Sequence, residues 1–573
     1  MHRSLYFSLL WCLLLPVTTY CQATVTIAGV VSDQETGLPL ANASIRLARQ
    51  SGGILSDDQG KFRWQLHTFS ATDTLVVSYV GYRTKHLPLA AVQDKLDVQI
   101  GLARDITMLN EVIVFSKFWR KEYTPKELQE DYKKFYTLME KMHTGLFDYI
   151  SEQQWQALKD SSWQLCQQPM THSEFYRLIA WHVGNVRNMH TRHGVTDWWY
   201  KTKQHIFPFN VQYFGDRLYV KESLVPDLSF PRGTEIMRIN GRTPEQIRSM
   251  VWPFIPADGF SDTGRMAALN DYFPWFFSLF VEECDTYTIM LKTLSGETST
   301  VTTQGLQDSF RHLSLQQVYR WKKSALELQI NDTLKTAYFR IEDSHVFKDS
   351  IQVYFKRIRD AHVQYLIIDL RGNQGIREEE QVAELMSYLV TEPFRVYERI
   401  EIKSNDASVF DADLTFRPYA TSRREIEQHF SSLKDSGKGY YLWEGESYLG
   451  VQQPSRMSFT GTVYILADGR NYSASTDLTS LAAQRDNIFV VGEETGGEYR
   501  SYSSGAMYGL VLPNSKIGVK IPTWKTILAI PENPVQRGRG VLPDYPVTPS
   551  LDDFISGRDA VLEFTYALIR DRK

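Results

Sequence analysis

Between Gly461 and Gly497 two apolar runs, Val463-Tyr464-Ile465-Leu466 and Ile488-Phe489-Val490-Val491, bracket a helix-like segment from Ala474 to about Gln484. Continuous apolar runs of this length, bounded by turn residues, read as strands buried on both faces. Strand, helix and strand in so short a stretch make a βαβ unit. The polar turn Asp468-Gly469-Arg470-Asn471 ends the first strand, so Ser473 stands where the helix begins. A serine there has two uses. It caps the helix, as serine commonly does, or it serves as a nucleophile. Free N–H groups and the positive end of the helix dipole would favour an oxyanion at that point.

With 573 residues the chain is expected to hold three to five domains. It is 43% hydrophobic and 23% charged, a globular composition. The net charge of -4 arises from 63 basic and 67 acidic residues without long runs of one sign, which argues against a nucleic-acid partner. Glu378-Glu379-Glu380 reads as the solvated first turn of a helix.

At the N-terminus, His2 and Arg3 precede an apolar stretch, Leu5 to Val17, and a polar segment ending at Cys21. This is the layout of a secretory signal peptide over 1–21, too short for a comfortable span. Export to the periplasm or cell envelope, or secretion, is the expected destination. Tyr20 argues against acylation of Cys21. Cys166 and Cys284 remain after cleavage and form no framework; no cofactor and no metal site are expected.

Residues 22–115 alternate strictly. Phe62, Trp64 and Leu66 form one set, Leu75, Val77 and Tyr79 another, and Leu96, Val98, Ile100 and Leu102 a third. Such spacing predicts a β-sandwich. Residues 120–200 are expected to be helical. Thr124-Pro125-Lys126-Glu127 and Thr171-His172-Ser173-Glu174 are helix-start signatures, and the second helix should end near Gly184. Its exit loop carries His190 and His193, for which solvation is the ordinary expectation. Over 205–300, short strands surround an Asn240-Gly241 turn and a helix capped by Thr243. The last part, 325–573, opens with a hairpin from Leu326 to Ile341. A buried strand, Tyr365 to Leu370, then runs into Arg371-Gly372-Asn373-Gln374-Gly375, and layered βαβ units follow. The expected fold is multidomain α+β.

Three resemblances attach to these words. AGVVSDQETGLPLANASIRL, SDDQGKF and VVSYVGYRTKHLPL resemble the carboxypeptidase-regulatory-like β-sandwich of exported Bacteroidota proteins. GTEIMRINGRTPEQI resembles a PDZ-like domain, which binds extended peptide at a sheet edge. IIDLRGNQG, YSAST with VVGEETGG, and GRGVLPDYPV are similar to the catalytic domain of the tail-specific (C-terminal-processing) serine peptidase family, whose wider clan folds like crotonase. That resemblance implies Ser473 as nucleophile. It implies the backbone N–H groups of Gly375 (Gly372 as second choice) and Ala474 as oxyanion donors. The family's usual base, a lysine 25 residues after the serine, is replaced by Glu498. The tricorn-like branch uses an upstream histidine instead, which His190 matches. Met189 stands where that branch has a serine, and Glu532 lies a few residues too early for its glutamate. Glu532 is carried as the residue orienting His190; Glu494 and Glu498 read as turn and surface groups.

The resemblance therefore implies an exported serine peptidase acting on protein or peptide substrates through an acyl-enzyme. The alternative is a peptidase-derived protein that binds peptides or apolar ligands without turnover, prompted by the missing lysine and the Met189 substitution.

Overall fold

The computed structural model describes residues 25–572 except 35–36, 41–42, 49–52, 58, 67–68, 71, 80–81, 104–120, 196–202, 226–227, 310–325, 343–346, 376–378, 407–413, 417–429, 445–446 and 534–535. The expected signal peptide lies outside the described residues. The chain divides into two compact units, Met1–Ile106 and Thr107–Lys573.

The first unit is β-rich. Strand Val25–Asp33 pairs antiparallel with Lys61–Leu66 and parallel with Val98–Leu102. A second sheet runs in the order Gly53–Leu55, Ser44–Leu47, Thr74–Ser78, Lys85–Pro88. Inward residues of both sheets, Ile27, Phe62 and Ile100 from one and Ile45, Leu75 and Val77 from the other, share one buried cluster. Burial of such a cluster is what stabilises two sheets together. Leu96 does not belong to it: it precedes its strand and is 59% exposed.

The second unit begins with helices that start where their capping boxes say. Thr124 and Glu127 exchange side-chain and backbone bonds at the head of Pro125–Met142, and Thr171 and Glu174 do so for His172–Val186. The latter helix runs past Gly184 and ends at Arg187, which takes a left-handed φ of 56°. Gly184 serves packing instead. A Cβ there would lie 2.1 Å from the Pro253 carbonyl oxygen, so its absence lets the 252–254 turn close on the helix.

A five-stranded antiparallel sheet follows, in the order Phe209–Phe214, Arg217–Ser223, Glu235–Ile239, Thr286–Lys292, Thr298–Gln304. Helix Pro244–Val251, with its Thr243–Gln246 capping box, leads from the Asn240-Gly241 turn.

The sheet that carries Ser473 has six strands. The hairpin Leu326–Asn331 and Thr336–Ile341 continues in parallel through Tyr365–Asp369, Thr462–Ala467, Ile488–Gly492 and Tyr545–Pro546. All five residues of Tyr365–Asp369 are buried, as a central parallel strand requires. The helix Ala560–Asp571 covers one face, its Val561 and Ile569 packing with Tyr464, Leu466 and Val491. A separate sheet is built on the hairpin Ser501–Val511 and Gly518–Leu528. The short strand Arg192–Gly194, just beyond His190, pairs antiparallel with Gly518–Lys520. This pairing joins the N-terminal helices of the unit to its C-terminal half. The chain is thus mixed α/β with several sheets and an N-terminal β-rich unit.

Candidate active site

The turn after Thr462–Ala467 is held by its own polar side chains. Asn471 Oδ1 accepts from the Asp468 N–H (2.7 Å), and Asn471 Nδ2 donates to the Leu370 carbonyl (2.5 Å) and Ser475 Oγ (2.8 Å). Arg470 pairs through Nε and a terminal nitrogen with both Asp271 oxygens (2.8 and 2.7 Å). These bonds fix the backbone that leads into Ser473.

Ser473 stands at φ 60°, ψ −141°, a conformation rarely taken by a residue with a Cβ, and its side chain makes no cap bond to the helix Ala474–Ala482. The capping use of serine is therefore not the one seen. A strained serine with an uncommitted hydroxyl at a strand-to-helix turn fits a nucleophile. The first N–H groups of the helix, that of Ala474 included, have no intrahelical partner.

Gly375 packs directly on this serine. A Cβ on Gly375 would sit 3.1 Å from Ser473 Cβ and 3.4 Å from the Tyr472 carbonyl oxygen, and its φ of 121° excludes other residues. Its N–H, however, donates to Asn373 Oδ1 (3.0 Å), and the Gly372 N–H donates to Asp468 Oδ1 (3.1 Å). Both upstream donors are thus already engaged, Gly375 within its own turn and Gly372 with the turn that precedes Ser473.

His190 is buried, against the expectation of a solvated loop histidine. Its ring stacks on Tyr502 (centroids 5.3 Å apart, planes at 18°). Tyr502 donates its hydroxyl to Asp477 Oδ2 (2.8 Å), in the first turn of the Ser473 helix. On the other flank the Arg192 guanidinium faces the Tyr472 hydroxyl. Contacts thus run from the His190 loop, through Tyr502 and Arg192, to Asp477 and Tyr472 on either side of Ser473. Burial, reinforced by Arg192, pushes the His190 imidazole down to about 3, so the ring is neutral. Its Nδ1 has no hydrogen-bond partner among the described residues.

The loop around His190 is tied from several elements. Asp258 Oδ1 accepts from the Met189 N–H (2.7 Å). Asn188 Oδ1 accepts from the Thr191 N–H (2.9 Å) and hydroxyl (2.8 Å), and Asn188 Nδ2 donates to the Ser503 carbonyl (2.9 Å). His143 Nε2 meets Thr191 Oγ1 at 2.6 Å. His193 commits both ring nitrogens, Nδ1 to the Tyr176 hydroxyl (2.8 Å) and Nε2 to the Phe254 carbonyl (3.0 Å). It is a packed histidine rather than a metal ligand.

The glutamates differ from their sequence reading. Glu532 does not reach His190; its carboxylate is 81% exposed and paired with Arg500 (2.8 Å). Glu494 and Glu498 are buried rather than superficial. Glu494 binds Arg539 Nε and the Gly540 N–H (both 2.8 Å). Glu498 accepts weakly from the Gly538 N–H (3.4 Å), and burial pushes its carboxyl up to about 8. The Glu498 backbone N–H faces Asp258, whose carboxyl burial raises to about 7. Asp258, Asn188 and Tyr502 are site residues that sequence reasoning missed. Asp258 and Tyr502 lie in no motif and act through partners distant in the chain; Asn188 belongs to the Asn188-Met189-His190-Thr191 word, but its bond to Ser503 crosses 315 residues.

Asp258→Ala leaves the buried Met189 N–H without its acceptor, an expected cost of about 1–3 kcal/mol. The loop that carries His190 should loosen, and faster amide exchange at 188–191 than in the wild type would register it. Unchanged exchange there would refute the tether.

Comparison with known proteins bears on this arrangement. Residues 27–114 match the CarboxypepD_reg-like domain and residues 335–547 match Peptidase family S41. Among solved structures, mature CPAF complexed with lactacystin superposes with a TM-score of 0.57 at 14% identity, covering 78% of this chain and 98% of that one. A second structure of mature CPAF gives 0.55 at 15% identity, over 78% and 96%. At such identity the likeness is one of fold. The curated relative is the TonB-dependent receptor SusC of Bacteroides thetaiotaomicron, 31% identical over 90 residues; the match spans 16% of this chain and 8% of the receptor.

Proposed function

We propose that this chain, with its CarboxypepD_reg-like domain and its Peptidase family S41 domain, is a serine peptidase that cleaves proteins or peptides through an acyl-enzyme on Ser473. The observation that carries this reading is the conformation of Ser473: φ 60°, no cap bond, and Gly375 packed against its Cβ. His190 is the general base. A neutral imidazole is the form able to take the serine proton, and burial keeps it neutral. The Ala474 N–H is one oxyanion donor. Gly375 becomes the second once its N–H leaves Asn373, a peptide rotation that a glycine permits.

Finer points belong to the same reading. The 205–300 sheet is taken as PDZ-like and the 325–573 part as crotonase-like, with cleavage internal to the substrate or near its C-terminus. The 1–21 leader points to export, with the periplasm or cell envelope as destination. Glu532 is set aside as the group that orients His190.

A fluorophosphonate probe tests the core of the proposal. Wild type should label and Ser473→Ala should not, at equal thermal stability. Equal labelling of both would sink it. A wild type that neither labels nor hydrolyses any unfolded protein would return the non-hydrolysing binder.

A further inference from the structure

Arg192 lies two residues beyond His190 and opens the strand that pairs with Gly518–Lys520. Its Nε–H donates to the Met189 carbonyl (3.0 Å) and its guanidinium also faces the Tyr472 hydroxyl, which anchors the group while leaving further N–H donors of the fork for another partner. Directly across the strand pair stands Lys520. Both residues are exposed. Like charges placed opposite each other in a sheet destabilise it. The Lys520 ammonium is held below its ordinary range, by burial of part of its stem and by Arg192.

Among the described residues no carboxylate forms an ion pair with either cation. The acid that also bears on Tyr272 and Tyr472, Asp271, is taken by both Arg470 nitrogens. The Arg192 charge is felt by His190, Tyr272 and Tyr472, the last of these immediately before Ser473. A guanidinium fork anchored at the Met189 carbonyl and facing Tyr472, the residue before Ser473, with a second cation opposite it and no ion-paired carboxylate among the described residues, has the chemistry to receive a carboxylate.

We propose that Arg192, supported by Lys520, receives a carboxylate of the substrate beside Ser473, so that acidic peptides are preferred. The inference rests on the peptidase reading and names its substrate chemistry. Two groups present that chemistry, an Asp or Glu side chain and a free C-terminus.

The test uses Ser473→Ala, which reads binding without turnover. Peptides carrying a single Asp, Asn or Lys, scanned along an otherwise neutral sequence, are titrated by fluorescence anisotropy at low salt. Each is made with a free and with an amidated C-terminus. The carboxylate-bearing peptide should bind about tenfold more tightly than its neutral counterpart, as a charge-assisted bidentate pair suggests. A gain confined to the side-chain arm assigns an internal acidic residue; one confined to the terminal arm assigns the C-terminus. Adding Arg192→Glu should invert the Asp-over-Lys order, and Lys520→Gln should shrink it. Should the Arg192 variant fail to fold, Lys520→Gln decides. Equal affinity for all peptides in Ser473→Ala, or an order untouched by the cation variants, overturns the proposal. A preference for acidic peptides in a chain that the fluorophosphonate never labels would overturn hydrolysis and leave this site standing.

Discussion

His190→Ala should lower kcat by about four to six orders of magnitude while leaving KM within a few-fold, because removing the base of a serine–histidine pair costs nearly the whole of its acceleration. The reason is local. The His190 imidazole stacks on Tyr502, which binds Asp477 of the Ser473 helix, and its own loop is anchored by Asp258. The pH profile gives the second half of the expectation. A base whose pKa burial has pushed to about 3 stays neutral across the acid range, so its protonation should not limit kcat/KM until well below the ordinary histidine value of about 6.5. An inflection near neutrality would instead report Asp258 and Glu498, raised to about 7 and about 8. Tyr149, Asp148, Lys525 and Arg192 face that carboxyl pair and share in its titration. Measuring kcat and KM for wild type and His190→Ala between pH 4 and 9 checks both parts. A variant that retains more than about a tenth of wild-type kcat removes His190 as the base.

What could be read from the sequence is what short-range rules govern. The capping boxes at Thr124 and Thr171 and the cap at Thr243 need only residues a few positions apart, and all three form. The placement of Ser473 followed from two apolar runs and a polar turn, and the helix begins at Ala474 as that pattern requires. What escaped depends on contacts across hundreds of residues. His190 looked like a solvated loop histidine because Tyr502, which covers it, belongs to a hairpin in the other half of the unit. Glu494 looked superficial because its partner Arg539 lies beyond that hairpin. Gly184 looked like a helix stop because its role, close approach of Pro253, is set by tertiary packing. Strain at Ser473 was equally invisible, since no sequence pattern reports a φ of 60°.

The thermal stability of the second unit should peak near pH 6.5 and fall on both sides, most steeply on the acid side. His143, His182 and His190 are pushed by burial to about 3, and His172 and His193 to about 4. All five lie between residues 143 and 193, in or beside the helices that carry the candidate base. A histidine depressed in the fold contributes stability that is complete above its unfolded pKa of about 6.5. That contribution is lost as pH falls toward the folded value, because only the unfolded chain takes up the proton. At pH 5 each such group costs on the order of 2 kcal/mol relative to pH 6.5. Buried carboxyls act in the opposite sense. Asp258, Glu493 and Glu498 are raised to about 7, 7 and 8, so their contribution is complete below the unfolded value near 4 and drains away as pH rises through those values. Five histidines outweigh three carboxyls between pH 4.5 and 6.5, and above 6.5 only the carboxyls still titrate, which puts the maximum at their crossing. Thermal melts at half-unit intervals from pH 4.5 to 8.5 measure it. His182→Gln and His143→Gln should each flatten the acid limb, whatever they do to the midpoint at pH 6.5. A midpoint that stays level from pH 5 to 6.5 would mean that these rings, His190 among them, are not held neutral by burial.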